Sequence, residues 1–247
     1  MRHSHFVLGH KGQVGSALMA VLKDKFFPVG HDSADGPFDP EKLPEIGTLH
    51  VAIPWTYCFR MDVKPFAEKA DLVVCHSTVP VGTCASMGMV MSPIRGIHPN
   101  LETGIRTFVK FFGGDRAEDA ANPFRECGVE CEVFGDSRSV EAMKLWSTTQ
   151  YGFFIALQKT IHRFCEVHGL DPDIVYTRSG ETYNEGYADL GRDNVIRPVL
   201  KNMPGPVGGH CVGANFDLLM KDYDGHVLAM NFIVAAQNIL MNPGTAL

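Results

Sequence analysis

The chain has 247 residues, 45% of them hydrophobic and 20% charged, and its 22 basic against 28 acidic residues leave a net charge of −6. This apolar share excludes intrinsic disorder, and the acidic balance leaves no basic stripe for phosphates, so no nucleic-acid partner is expected. The opening Met1-Arg2-His3-Ser4-His5 leads into only a short apolar segment, unlike a secretory leader. The charge-free stretch from His226 to Leu247 carries Asn231, Gln237, Asn238 and Asn242 and makes a poor membrane span. Seven cysteines form no framework spacing, and Cys127 and Cys131 have no second pair beside them. Reduced thiols in a cytoplasmic protein, with no metal site, are the expectation.

The chain divides near residue 138. In the first part His5 to Gly9 reads as a strand and Val14 to Lys25 as a helix. Further strands are expected at Phe27–His31, Leu49–Ile53, Asp71–His76, Ile94–His98, Phe108–Phe112 and Glu130–Phe134. Continuous Val/Ile/Leu/Phe runs separated by helical stretches predict a buried, mostly parallel sheet in a Rossmann-like, doubly wound α/β domain over residues 1–137. Residues 138–247 read as an all-helical domain. Ser139 to His168 is apolar on nearly every face, which predicts a helix buried on all sides. Gly169 and Asp171-Pro172 end it and start the next element. A loop-rich stretch is expected from Thr182 to Cys211, then two apolar helices near 215–222 and 226–241.

Gly9-His10-Lys11-Gly12-Gln13-Val14-Gly15 sits between the first strand and the first helix. Glycines at this spacing let the backbone approach a pyrophosphate lying on the helix N-terminus. Gly9, Lys11, Gly12, Gln13 and Val14 are the candidate cradle. Asp32 follows the second strand, 17 residues beyond Gly15, where a carboxylate accepts from a ribose 2′-hydroxyl. That favours NAD; Lys11 and His31 keep NADP open as the alternative, and Asp35 is an alternative acid.

Four further segments resemble the UDP-glucose/GDP-mannose dehydrogenase family. Ala52-Ile53-Pro54 is similar to its cofactor-side loop, and Ser77-Thr78-Val79-Pro80-Val81-Gly82-Thr83 to its S-T-V-P-x-G-T signature. Glu141-Ala142-Met143-Lys144-Leu145 resembles the start of its central helix, where a lysine faces the substrate. Pro204-Gly205-Pro206-Val207-Gly208-Gly209-His210-Cys211 resembles the loop carrying its nucleophilic cysteine. The chain looks like a short form without the C-terminal domain that holds the nucleotide sugar. The resemblance implies an NAD-dependent oxidoreductase of a sugar-like or nucleotide-sugar hydroxyl, with Ile53, Pro54, Ser77 and Thr78 beside the cofactor. It also implies a homodimer joined through the last helices. The chain departs from the family at Asn100, Thr148 and Asn215, which stand where the family has Glu, Asn and Asp. The glycine loop and His98-Pro99 also resemble those of prephenate dehydrogenases.

The chemistry so implied is hydride removal from a hydroxyl in a cleft between the two domains. A second oxidation would run through a thiohemiacetal on Cys211 and release of the thioester by water. Lys144 would stabilise an oxyanion, with Thr148 one turn later on the same face. Thr78 would hold a water or hydroxyl, unless it is simply a helix N-cap. Arg197, His98, Gly208 and Gly209 are the substrate-side candidates. Asn100 and Asn215 orient water but take no proton at neutral pH, a task His98 suits. Two rivals stand: a single-step dehydrogenase of a small hydroxy or oxo acid, and a catalytically silent cofactor-binding protein.

Overall fold

The structure is a computed structural model and describes residues 4–43, 45–205, 207, 210–222, 231, 234 and 235. It divides into two units, Met1–Lys144 and Leu145–Leu247.

The first unit is built on a seven-stranded sheet: β1 (His5–Leu8), β2 (Val29–His31), β3 (Ile46–Val51), β4 (Ala70–Cys75), β5 (Val90–Met91), β6 (Lys110–Gly113) and β7 (Cys131–Phe134), in the order β2-β1-β3-β4-β5-β6-β7. All pairs are parallel except β5 with β6, which meet at Met91 and Gly113. The helices are α1 (Gln13–Leu22), α2 (Phe59–Ala67), α3 (Thr83–Met87), α4 (Leu101–Thr107), α5 (Ala117–Glu126) and the first turns of α6 (Ser137–His168).

Side chains alternate across a strand, so adjacent residues serve opposite cores. Val7, Leu72, Val74 and Phe112 pack with Leu18 and Val21 of α1 and with Phe124 of α5. Phe6, Leu8, Leu49, Val51 and Val73 pack with Phe59, Val63 and Phe66 of α2 and with Val140 of α6. Both faces are covered, which is why apolar residues fall on both faces of the central strands rather than alternating with polar ones. Each fully buried aliphatic side chain contributes roughly 1.5–3 kcal/mol. Because β2 and β3 flank β1, the strand order reverses beside β1 and opens a crevice at the carboxyl ends of β1 and β3.

One expected strand is absent. Ile94–His98 is irregular, and the ladder there is carried by Val90–Met91, which ends just before Pro93. Proline has no N–H to continue a ladder.

The second unit contains the rest of α6, a π-helical stretch (Asp173–Arg178), α7 (Ser179–Asp189) and α8 (His210–Asp222). Ala156 packs with Val207, Phe153 and Phe216, and Leu145 with Leu219. Two expectations are corrected. The stretch 182–211 opens in helix rather than loop, since α7 runs through Asp189, and from Leu190 to Gly205 it is irregular apart from a short turn at Asp193–Val195. The long helix is not buried all round, for Trp146, Tyr151 and Phe164 are 40%, 53% and 52% exposed. An all-apolar circumference exceeds what one small helical unit can cover. The expected helix at 226–241 lies largely outside the described residues. No helix among the described residues is long and apolar enough to cross a membrane.

Candidate active site

The loop between β1 and α1 folds around backbone that tolerates no side chain. Gly9 has φ +87°, and a Cβ there would stand 2.6 Å from the Ala52 carbonyl; one on Gly15 would overlap the Gly9 carbonyl. Gly12 differs: its Cβ would meet only the Gly9 oxygen, at 3.3 Å. Gly12 is the N-cap of α1, without a side-chain cap and with no acidic residue in the first turn. The helix therefore presents unneutralised N–H groups at an open position, which suits an anion such as a pyrophosphate.

Asp32 stands just after β2 as expected. One carboxylate oxygen accepts from the Ala34 N–H at 3.1 Å and the other from the Lys11 N–H at 3.3 Å. Asp35 returns a bond to the Asp32 N–H at 2.8 Å and pairs with the Lys11 ammonium, which holds its carboxyl below the usual range. The capping pair pins the acidic corner to the glycine loop. A carboxylate has about four lone-pair sites, so Asp32 keeps capacity for hydroxyls.

The loops after β3 and β4 are tied together. Ser77 donates its hydroxyl to the Ile53 carbonyl at 2.6 Å, beside Pro54. Thr78 follows, half-buried. It is not a helix cap, for the N-cap of α3 is Gly82. Sequence reasoning missed the partner of that cap. The Glu141 carboxylate, fully buried, accepts from the N–H groups of Gly82 at 2.6 Å and Cys84 at 2.7 Å. One turn on, the Lys144 ammonium donates to the Ile94 carbonyl at 2.9 Å. His98 reaches the side-chain oxygen of Gln13, the first residue of α1, so the segment after β5 meets the glycine loop. Asn100 is the exposed N-cap of α4.

In the second unit Asn215 donates its amide to the Thr148 hydroxyl at 3.0 Å, so two of the expected site residues are partners. Arg197 stacks over the Tyr183 ring, 3.9 Å from its centre. Cys211 lies in the first turn of α8 rather than in a loop. Gly208 and Gly209 lie outside the described residues.

A second buried polar feature escaped the sequence reading. His5 Nδ1 lies 3.0 Å from His50 Nε2, His50 Nδ1 lies 3.0 Å from His76 Nε2, and His76 Nδ1 lies 2.7 Å from the Ser92 carbonyl. A carbonyl only accepts, so His76 carries its proton on Nδ1. With neutral rings, the same tautomer follows for His50 and His5. Lys110 closes the row, donating to the Ser92 carbonyl at 3.1 Å. Burial lowers the pKa of His50 and His76 well below the ordinary value and that of Lys110 to about 7.

No protein-family model and no curated protein matches the chain at a significant level. Solved structures do. A UDP-D-ManNAc dehydrogenase from Pyrococcus horikoshii is 16% identical with a TM-score of 0.74, covering 96% of this chain and 68% of that one. A UDP-glucose dehydrogenase from Pyrobaculum islandicum is 15% identical with a TM-score of 0.73, covering 98% and 68%. A 3-hydroxyisobutyrate dehydrogenase from Mycobacterium tuberculosis, solved with L-serine, is 18% identical with a TM-score of 0.68, covering 98% and 94%. At such identities the likeness is one of fold: a Rossmann-like α/β unit followed by helices. The chain spans about two thirds of these two UDP-sugar dehydrogenases, and 66% of an NDP-N-acetyl-D-galactosaminuronic acid dehydrogenase from Methanosarcina mazei.

Proposed function

We propose that the chain is an NAD-dependent dehydrogenase, with NADP the alternative cofactor, acting on a hydroxyl of a sugar-like or nucleotide-sugar substrate. The observation that carries this reading is Gly12. Nothing inside the fold requires a glycine there beyond the 3.3 Å approach to Gly9, yet the position caps a helix whose first turn holds no acid. A backbone cradle open to an anion fits a dinucleotide pyrophosphate. Asp32, with Asp35 behind it, would take the adenosine ribose hydroxyls. Ile53, Pro54, Ser77 and Thr78 would line the other half. When bound, the nicotinamide supplies a two-electron hydride acceptor.

The chain's own groups then have distinct tasks. Thr78 orients the substrate hydroxyl. Lys144 stabilises negative charge on that oxygen as its proton leaves. His98, held by Gln13, receives the proton. Asn100, Thr148 and Asn215 orient and do not titrate. Cys211, Arg197, Gly208 and Gly209 remain candidates for a second oxidation and for substrate binding. The exposed apolar residues of α6, with the last helix, would join two copies of a cytoplasmic enzyme.

A second reading is a single-step dehydrogenase of a small hydroxy or oxo acid. It is favoured by the Asn215–Thr148 bond, which puts two neutral groups where the family has Asp and Asn, and by the coverage of nearly the whole hydroxyisobutyrate enzyme. A panel of sugar nucleotides, free sugars and hydroxy acids, read by reduced-nicotinamide absorbance, separates the two readings. Turnover of none of them, by a protein that binds NADH, would contradict both.

A further inference from the structure

We infer that Glu141 is a positioning residue for the nicotinamide half of the cofactor, an inference that rests on the dehydrogenase reading. The Ser77–Thr83 loop follows β4 at the carboxyl edge of the sheet. A dinucleotide whose adenosine ribose meets Asp32 after β2, and whose pyrophosphate meets Gly12, runs across the switch point toward the loops of β3 and β4. Its far end therefore falls on this loop, which is held at both ends. At the start, Ser77 is bonded to the Ile53 carbonyl at 2.6 Å. At the end, Gly82 and Cys84 both donate to the one buried carboxylate of Glu141, at 2.6 and 2.7 Å. Within the loop Thr83 donates to the Pro80 carbonyl at 2.7 Å, so little slack remains between the two anchors.

The chemistry of the clamp explains why the residue is a glutamate. Both partners are N–H donors, so both oxygens must accept. A carboxylate meets that demand and a carboxamide does not, because its NH₂ would face one of the two N–H groups. Charge-assisted bonds of this kind are short and directional. They compensate for burying a charge that has no other need to enter an apolar helix face beside Val140 and Met143. One turn on, α6 carries Lys144, bonded to the Ile94 carbonyl at 2.9 Å. Glu141 thus fixes the loop bearing Thr78 to the helix bearing the candidate oxyanion-stabilising group. It touches neither cofactor nor substrate.

The test uses the full chain and E141Q, titrated with NADH and separately with ADP-ribose, which lacks the nicotinamide. The expected result is at least about a tenfold weakening of NADH in E141Q with ADP-ribose unchanged. Equal weakening of both ligands, or of neither, would overturn the inference, since a purely structural role cannot distinguish them. Amide exchange on the unmodified chain gives an independent readout should E141Q fail to fold. NADH should deepen protection of the Gly82 and Cys84 amides and ADP-ribose should not; equal protection by the two overturns the inference. Failure of the unmodified chain to bind either ligand would overturn the dehydrogenase reading itself.

Discussion

Replacing Lys110 with methionine should make the protein more stable at neutral pH and remove one proton from its alkaline stability profile. Lys110 is 3% exposed, and its ammonium nitrogen lies 5.3 and 5.1 Å from the ring centres of Phe112 and Phe124. Burial moves its pKa from 10.5 to about 7. Between those values the unfolded chain holds one proton more than the native one, so stability rises with pH at ~1.4 kcal/mol per unit. The penalty is complete below about pH 7 and gone above about 10.5, a total on the order of 5 kcal/mol. Methionine keeps the length and loses the charge. It also loses the bond to Ser92, worth ~1 kcal/mol, and ring contacts worth ~0.5–2 kcal/mol. The net expectation is a gain of about 2 kcal/mol near neutrality that shrinks and reverses as pH rises. Urea unfolding of both proteins, followed by circular dichroism from neutral to alkaline pH, measures it. A difference between the two proteins that does not change with pH would refute the buried, neutralised lysine.

Asp32→Ala should weaken NAD more than NADP; equal losses by titration would remove Asp32 from the ribose. If Cys211 is a nucleophile, the unmodified chain should reduce two cofactors per substrate and Cys211→Ser fewer, whereas a parent ratio of one would sink the thioester route. Light scattering at low micromolar concentration should give about twice 27.2 kDa, and a monodisperse monomer would contradict the dimer.

The sheet was legible because both of its faces are buried, so the apolar residues of His5–Leu8 and Ala70–Cys75 mark those strands, while the expected Leu49–Ile53 caught only the second half of Ile46–Val51, whose first half carries Gly47 and Thr48. The glycine loop was legible because close backbone approach leaves glycine no substitute at Gly9 and Gly15. What stayed hidden depends on partners distant in sequence. Glu141 reads as one more helix-surface acid until the turn at Gly82, 59 residues away, supplies its donors. His5, His50 and His76 each interrupt an apolar stretch without announcing one another, and only the β1-β3-β4 order lines them up. A single His in or beside each of three mainly apolar strands was the available signal. Val90–Met91 was missed because two residues carry no periodicity. The helix at Ser179–Asp189 was masked by Gly180 and Gly186, whose low propensity resembles a loop.

The central claim is that the loop around Gly12 receives a dinucleotide pyrophosphate. Fluorescence titration of NADH into the full chain and into Gly12→Val tests it most directly. A Cβ at Gly12 meets only the Gly9 oxygen, at 3.3 Å, so the variant should keep the parent circular-dichroism spectrum. The account predicts saturable binding by the parent and at least about a tenfold loss, ~1.4 kcal/mol, in the variant. Undiminished binding by a folded Gly12→Val protein, or no binding by the parent, would contradict it.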